Sequence, residues 1–152
     1  MSRRISQKNN LNGAIKLLPQ RRPFLFIDRV LEFNKLKKII VVKHVRKNQS
    51  FFKGHFPGNP VFPGALTLEA MGQASTLLFI LSKPEFTARR YNFYIIKGTV
   101  DFVSLVRPGK KLVLESYMQN NADDFGIFSV KAYTEDRLVA RAKIILMVKP
   151  KL

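Results

Sequence analysis

His55, Glu69 and Gly64 are the residues of this chain whose types and settings point to chemistry. His55 stands between Gly54 and a Phe56-Pro57-Gly58 turn, inside the eleven-residue segment Gly54 to Gly64 that holds three of the eight glycines and three of the eight prolines. Such a segment fixes an irregular backbone, and so it holds the imidazole in one place. A loop histidine is more often structural than catalytic, and alone it decides nothing. His44 sits in a strand pattern without that setting, so a structural role is its ordinary reading. Glu69 falls in an otherwise apolar stretch, where an ionised carboxylate is costly unless paired or protonated. Burial favours the neutral acid, the form that can give a proton to a leaving group. The alternative is a carboxylate bonded to an arginine or to Gln73, which shares its helix face at i+4. Pro63-Gly64 reads as a helix start that leaves the N–H groups of Gly64, Ala65 and Leu66 unpaired. With no side chain at Gly64, a carbonyl can approach these donors and have its developing negative charge stabilised.

Taken together, the three parts suit one reaction. A neutral imidazole removes a proton α to a carbonyl, backbone donors hold the enolate-like oxygen, and a protonated carboxyl pushes off a hydroxyl. Dehydration of a 3-hydroxyacyl thioester needs this combination, because the α-proton is weakly acidic and hydroxide is a poor leaving group. No metal or organic cofactor is required.

Composition removes most other chemistries. The chain has 152 residues and no cysteine, which excludes disulfides, thiolate metal sites and a cysteine nucleophile. Two histidines make a poly-histidine metal site a poor reading, and a GxSxG elbow, a Walker A loop and a GxGxxG fingerprint are all missing from the sequence. A net charge of +17 predicts attraction to an acidic partner. Its other reading is solubility alone. Val61 to Leu81 is the one long apolar stretch, but Pro63, Gly64, Glu69, Gly72 and Gln73 interrupt it. That is too polar for an ordinary membrane span, so the expectation is a soluble, cytoplasmic protein without membrane insertion.

The elements that must position these residues follow from periodicity. A single domain fits the length, with residues 1–16 as a basic N-terminal arm ending in a short helix (Asn10 to Leu18, capped by Asn10 or Asn12) and residues 17–152 as the domain itself. Phe24 to Phe33 and Lys38 to Arg46 read as a hairpin turning at Asn34 to Lys37. An apolar helix from Gly64 to Leu81 should be wrapped by other structure. Strands are then expected at Tyr91 to Ile96, Thr99 to Leu105, Lys111 to Gln119, Gly126 to Thr134 and Arg137 to Val148, with turn chemistry between them. One buried helix with a meandering antiparallel sheet around it is an α+β arrangement.

These residues also carry a resemblance. The run Phe51 to Gly64 (FFKGHFPGNPVFPG), with Leu68-Glu69-Ala70-Met71-Gly72-Gln73, resembles the FabZ-type 3-hydroxyacyl-[acyl-carrier-protein] dehydratases. The similarity runs from about Leu17 to Val148 and includes Pro23 to Val30 and the Arg107-Pro108-Gly109 turn. It implies a hot-dog fold and a lyase of fatty-acid or related acyl-chain biosynthesis. In that role His55 acts on the substrate α-carbon, Glu69 on the 3-hydroxyl, and the Gly64 amide, with Ala65 beside it, on the thioester oxygen. It also implies acyl carrier protein as partner, and a homodimer, or a trimer of dimers, in which His and Glu of one site come from different subunits. Phe52, Phe56, Phe62, Leu66 and Gln73 are candidates to line an apolar substrate tunnel, with core packing as the alternative for each. The family usually has His-Arg-Tyr-Pro-Phe where this chain has Gln20 to Phe24. It also departs at Gly98 and at Asp101, Phe102, Val103, Ser104 and Leu105, where the family run is basic. Two rival classes are a non-catalytic hot-dog protein that binds acyl carrier protein or an acyl ligand, and a basic nucleic-acid module. The latter lacks a recognition helix, zinc finger or RNP-like motif, so no nucleic-acid partner is expected.

Overall fold

The computed structural model describes residues 11–152; Arg3, Arg4 and Lys8 of the expected basic arm, and Asn10 as the expected start and candidate cap of the short helix, lie outside the described residues. Six antiparallel strands form one sheet in the order β1-β2-β4-β5-β6-β3. They are β1 (Arg29–Asn34), β2 (Lys38–His44), β3 (Tyr91–Phe102), β4 (Lys111–Asn121), β5 (Phe125–Thr134) and β6 (Arg137–Pro150). One long helix, α1 (Gly64–Ser82), lies against the sheet and packs on β2, β4, β5 and β6. The order is not a simple meander. Helix α1 carries the chain from β2 across to the far edge, where β3 pairs with β6.

Helix α1 begins at Pro63, whose extended backbone suits a helix entry. From Ala70 to Ile80 every residue is buried. In length and apolarity the helix would suit a membrane span, yet 67% of it is buried inside the domain. Ala70, Ala74, Leu77 and Leu78 meet the inward side chains Ile39, Val41, Leu112, Leu114, Phe128 and Val130 in one core. Ser75 would be a misfit there. Its hydroxyl donates to the Met71 carbonyl and pairs with the Ser116 hydroxyl of β4 at 2.8 Å, so a buried polar pair fixes the helix over the sheet.

The β1–β2 hairpin turns at Leu36, which takes a left-handed φ of 60°. Phe24 to Ile27 joins no strand, contrary to the sequence expectation. Its backbone is satisfied elsewhere: the Phe26 N–H donates to Gln73 Oε1 at 2.8 Å and the Phe24 carbonyl accepts from Gln73 Nε2 at 2.9 Å. The two strands expected between Tyr91 and Leu105 are one long β3 with an irregularity between Ile95 and Lys97. The short N-terminal helix is a 3-10 turn over Asn12–Leu17 without a side-chain cap; the Asn12 side chain instead accepts the Val30 N–H. Ala14 and Leu18 join the core, so this segment packs on the domain.

Candidate functional site

The loop that carries His55 is pinned at both ends by backbone hydrogen bonds. The His55 N–H donates to the Phe51 carbonyl at 3.0 Å, the Val61 N–H to the His55 carbonyl at 2.9 Å, and the Phe62 N–H to the Val106 carbonyl at 2.8 Å. Phe56 and Asn59 exchange backbone bonds across a turn in which Gly58 adopts a φ of 71°, a conformation that favours glycine. The His55–Phe56 peptide is cis, and the two rings stack with centroids 4.1 Å apart.

His55 Nδ1 lies 2.9 Å from the Val61 carbonyl oxygen. A carbonyl can only accept, so Nδ1 carries the hydrogen and, in the neutral ring, Nε2 is the nitrogen with the lone pair. That is the tautomer a general base requires. The imidazole opens on a cavity of about 340 Å³ lined by Gly64, Thr67, Phe62, Phe102 and Val139, among other mostly apolar groups. The α1 N-terminus therefore looks into the same space as His55. Among the described residues its Gly64 and Ala65 amides have no backbone partner, whereas the Leu66 N–H is taken by the Pro63 carbonyl at 2.9 Å. Of the three expected donors, two are open. A Cβ at position 64 would come within 3.0 Å of the Phe102 ring. Glycine is what lets that ring pack over the helix entry.

Glu69 is on the other side of the helix. At 3.6 residues per turn it lies about 160° around the axis from Thr67, and it is not among the residues lining the His55 cavity. Gln73 Nε2 donates to Glu69 Oε1 at 3.0 Å. The same Gln73 amide holds Phe24 and Phe26, so it cannot flip without losing a bond. Burial pushes the Glu69 carboxyl above the usual carboxylate range, and the hydrogen bond from Gln73 opposes part of that rise.

The expected tunnel residues separate into groups. Phe56 and Phe62 line the His55 cavity. Phe52 lines a different hollow of about 580 Å³, bordered by Lys47, Lys53, Gly58, Pro60, Arg107 and Pro108. Leu66 packs at the edge of the core, and Gln73 is the 1% exposed amide beside Glu69. Phe102, Thr67 and Val139 complete the cavity wall and were not expected. Thr67 had a signal in the sequence, since it is polar and one turn beyond Gly64 on an apolar helix. Phe102 and Val139 reach the cavity only through the β3–β6 pairing, which places Phe102 opposite Ala140. Among the described residues no three His, Cys, Asp or Glu side chains come together to hold a metal ion.

A single helix held by a six-stranded antiparallel sheet, with an imidazole facing the helix entry, defines a hot-dog protein of the FabA-like class, and a FabA-like domain matches residues 18–143. The 3-hydroxyacyl-[acyl-carrier-protein] dehydratase FabZ of Caldicellulosiruptor saccharolyticus is 37% identical over 140 residues, covering 92% of this chain and 99% of that protein. That of Lactiplantibacillus plantarum is 40% identical over 134 residues, 88% of this chain and 90% of that protein. This chain belongs to the FabZ family of dehydratases. The bifunctional enzyme LpxC/FabZ of Chlorobaculum tepidum is 37% identical over 142 residues, and the match spans 93% of this chain but 30% of that longer protein. Among solved structures, the dehydratase heterocomplex ApeI:P from Xenorhabdus doucetiae matches in fold with a TM-score of 0.76 at 16% identity, covering 91% of each chain.

Proposed function

We propose that this chain dehydrates (3R)-3-hydroxyacyl-[acyl-carrier-protein] to the trans-2-enoyl thioester. The observation that carries the reading is the shared cavity of His55, in its Nε2-basic tautomer, and the open N–H groups of the α1 entry. His55 Nε2 takes a proton from C2 while the thioester oxygen, held by the Gly64 amide, receives the growing negative charge. The C2 electron pair then forms the C2–C3 double bond as the C3–O bond breaks. The departing hydroxyl takes the Glu69 proton and leaves as water. Imidazolium and carboxylate remain, and transfer of one proton between them through solvent restores the starting state.

A second copy of the chain supplies the missing carboxyl in this reading. Glu69 faces away from its own chain's His55 cavity, and β3 ends the sheet as a twelve-residue edge strand with Tyr94 and Ile96 exposed. Long apolar edges demand a partner. Pairing of two β3 edges in a dimer would continue the sheet and cover Phe102, Val103 and Leu105, which are 53%, 53% and 59% exposed. Acidic acyl carrier protein would meet the hollow bordered by Lys47, Lys53 and Arg107, where no acid is present. Asn59 Oδ1 and the Pro60 carbonyl accept from Arg107 and fix it beside the loop of His55.

Hydration of a crotonyl thioester, followed as loss of enoyl absorbance, tests the reading in the reverse direction. Turnover that disappears in His55→Ala and in Glu69→Gln is expected. A pure dimer that binds acylated carrier protein without interconverting hydroxyacyl and enoyl forms would make it a binding protein instead.

A further inference from the structure

The polar side chains on the wall of the His55 cavity can be followed one at a time. The Ser104 hydroxyl donates to the Leu138 carbonyl at 2.7 Å, and Asn59 Oδ1 accepts from Arg107 at 2.5 Å. The Ser104 donor and the Asn59 oxygen are committed to the protein's own structure, and Asn59 is otherwise exposed to solvent. Thr67 differs. It is 2% exposed and lines the cavity. Two other hydroxyls of the same helix are bonded four residues back, Ser75 to the Met71 carbonyl and Thr76 to the Gly72 carbonyl, each at 2.9 Å. The Thr67 hydroxyl makes no such bond among the described residues. The carbonyl it would use, that of Pro63, already accepts from the Leu66 and Thr67 amides at 2.9 and 3.1 Å.

The Thr67 hydroxyl is not one of the enclosed side-chain atoms left unpaired among the described residues, which are Gln20 Oε1, Gln49 Oε1 and Thr134 Oγ1. It keeps access to the cavity that Thr67 lines, where a bound molecule can take its hydrogen bond. Its neighbours point to what that is. Thr67 sits one turn after Gly64, about 60° away around the axis, on the side of α1 that faces His55. The rest of the wall is Phe56, Val61, Phe62, Phe102, Leu105, Val106 and Val139, which offers a fatty chain contact but no hydrogen bond. A hydroxyl here is therefore placed for a polar atom close to the reacting carbons.

Resting on the dehydratase reading, we propose that Thr67 is a further substrate-contacting residue, whose hydroxyl donates to the thioester carbonyl oxygen beside the Gly64 amide. Charge grows on that oxygen as the α-proton leaves, so the bond strengthens toward the transition state and shows in kcat more than in KM. Valine has nearly the same shape as threonine and no hydroxyl. Serine keeps the hydroxyl and loses a methyl group.

The experiment measures kcat and KM for crotonyl-thioester hydration in Thr67→Val, Thr67→Ser and His55→Ala, with melting temperatures alongside. Thr67→Val should lose roughly tenfold in kcat with KM nearly unchanged, the scale of one transition-state hydrogen bond, and Thr67→Ser should recover most of it. Wild-type kcat in Thr67→Val, with His55→Ala inactive, overturns the assignment and leaves the dehydratase reading standing. Equal losses in the valine and serine variants, or a loss matched by a lowered melting temperature, would make Thr67 a packing residue and overturn it as well. Turnover by His55→Ala would instead bring down the reading on which it rests.

Discussion

In the proposed reaction, one carbonyl sets which nitrogen of His55 takes the proton. The bond from Nδ1–H to Val61 leaves Nε2 as the only basic nitrogen facing the cavity. Substitution of His55 by alanine should lower kcat by ~10²–10⁴-fold, the usual contribution of a general base, with the fold intact by circular dichroism. In the proposed role Glu69 must be protonated to act, so the rate should fall as pH rises through its ionisation. Burial raises that ionisation, which places the alkaline limb of the pH profile above the ordinary carboxylate range. The Gln73 hydrogen bond favours the ionised form. Gln73→Met removes it and should move the limb to higher pH; an unmoved limb would mean that another group sets it. The same shift has a stability consequence. A carboxyl with a raised folded-state pKa contributes full stability below its unfolded pKa and loses it as pH rises through the folded one. Glu69→Gln should therefore gain melting temperature relative to wild type as pH rises through that window, and the difference should vanish in acid.

Among the elements, β2 carries the least expected residue. Lys43 is 2% exposed, opposite Leu112 in the register and on the same face as Ile39 and Val41. Its amine lies 5.5 Å from the Phe26 ring centroid. Burial lowers its pKa from 10.5, with Asp28 opposing the fall and Arg46 and Arg22 adding to it. The folded state thus disfavours its charge, a penalty present at neutral pH and absent above about 10.5, where the unfolded chain also loses the proton. Lys43→Met should raise the melting temperature by about 3 °C at pH 7, as expected for a gain near 1 kcal/mol in a domain of this size, and the gain should shrink as pH rises. A constant difference across pH would place its origin in packing.

The β2 strand itself was legible as an apolar, β-branched run, and so were α1 and the hairpin. Phe24 to Ile27 was misread because its alternating aromatic and aliphatic pattern is that of a strand, while its backbone partners are on Gln73, about fifty residues away. The two strands expected at Tyr91 to Ile96 and Thr99 to Leu105 left Lys97 and Gly98 between them, yet β3 runs through both with Gly98 opposite Ile144. The Glu69–Gln73 pair could be read from an i+4 spacing. The cavity wall at Phe102 and Val139 could not, because it depends on how β3 docks beside β6.

For the whole molecule, the distribution of surface decides more than its composition. The net charge of +17 favours association with an acidic partner and makes it sensitive to salt. Replacing Lys47, Lys53 and Arg107 together by glutamate should lower kcat/KM at least tenfold for a carrier-bound substrate, on the scale of lost electrostatic steering, and leave a small carrier-free thioester unaffected. Equal losses on both substrates would place these residues in the catalytic site. Tyr94, Ile95, Ile96 and Phe102 are exposed along the β3 edge. Ile96→Asp is expected to shift the protein toward monomer in sedimentation and to lose activity in parallel.

The central claim is that each working site joins His55 of one protomer to Glu69 of another. Unfolding His55→Ala and Glu69→Gln proteins together and refolding them as a mixture tests it most directly, since each variant alone is inactive. Random pairing makes half of the dimers mixed, each with one intact site, so the account expects about a quarter of wild-type activity to return. A mixture that forms mixed dimers and stays inactive would contradict it.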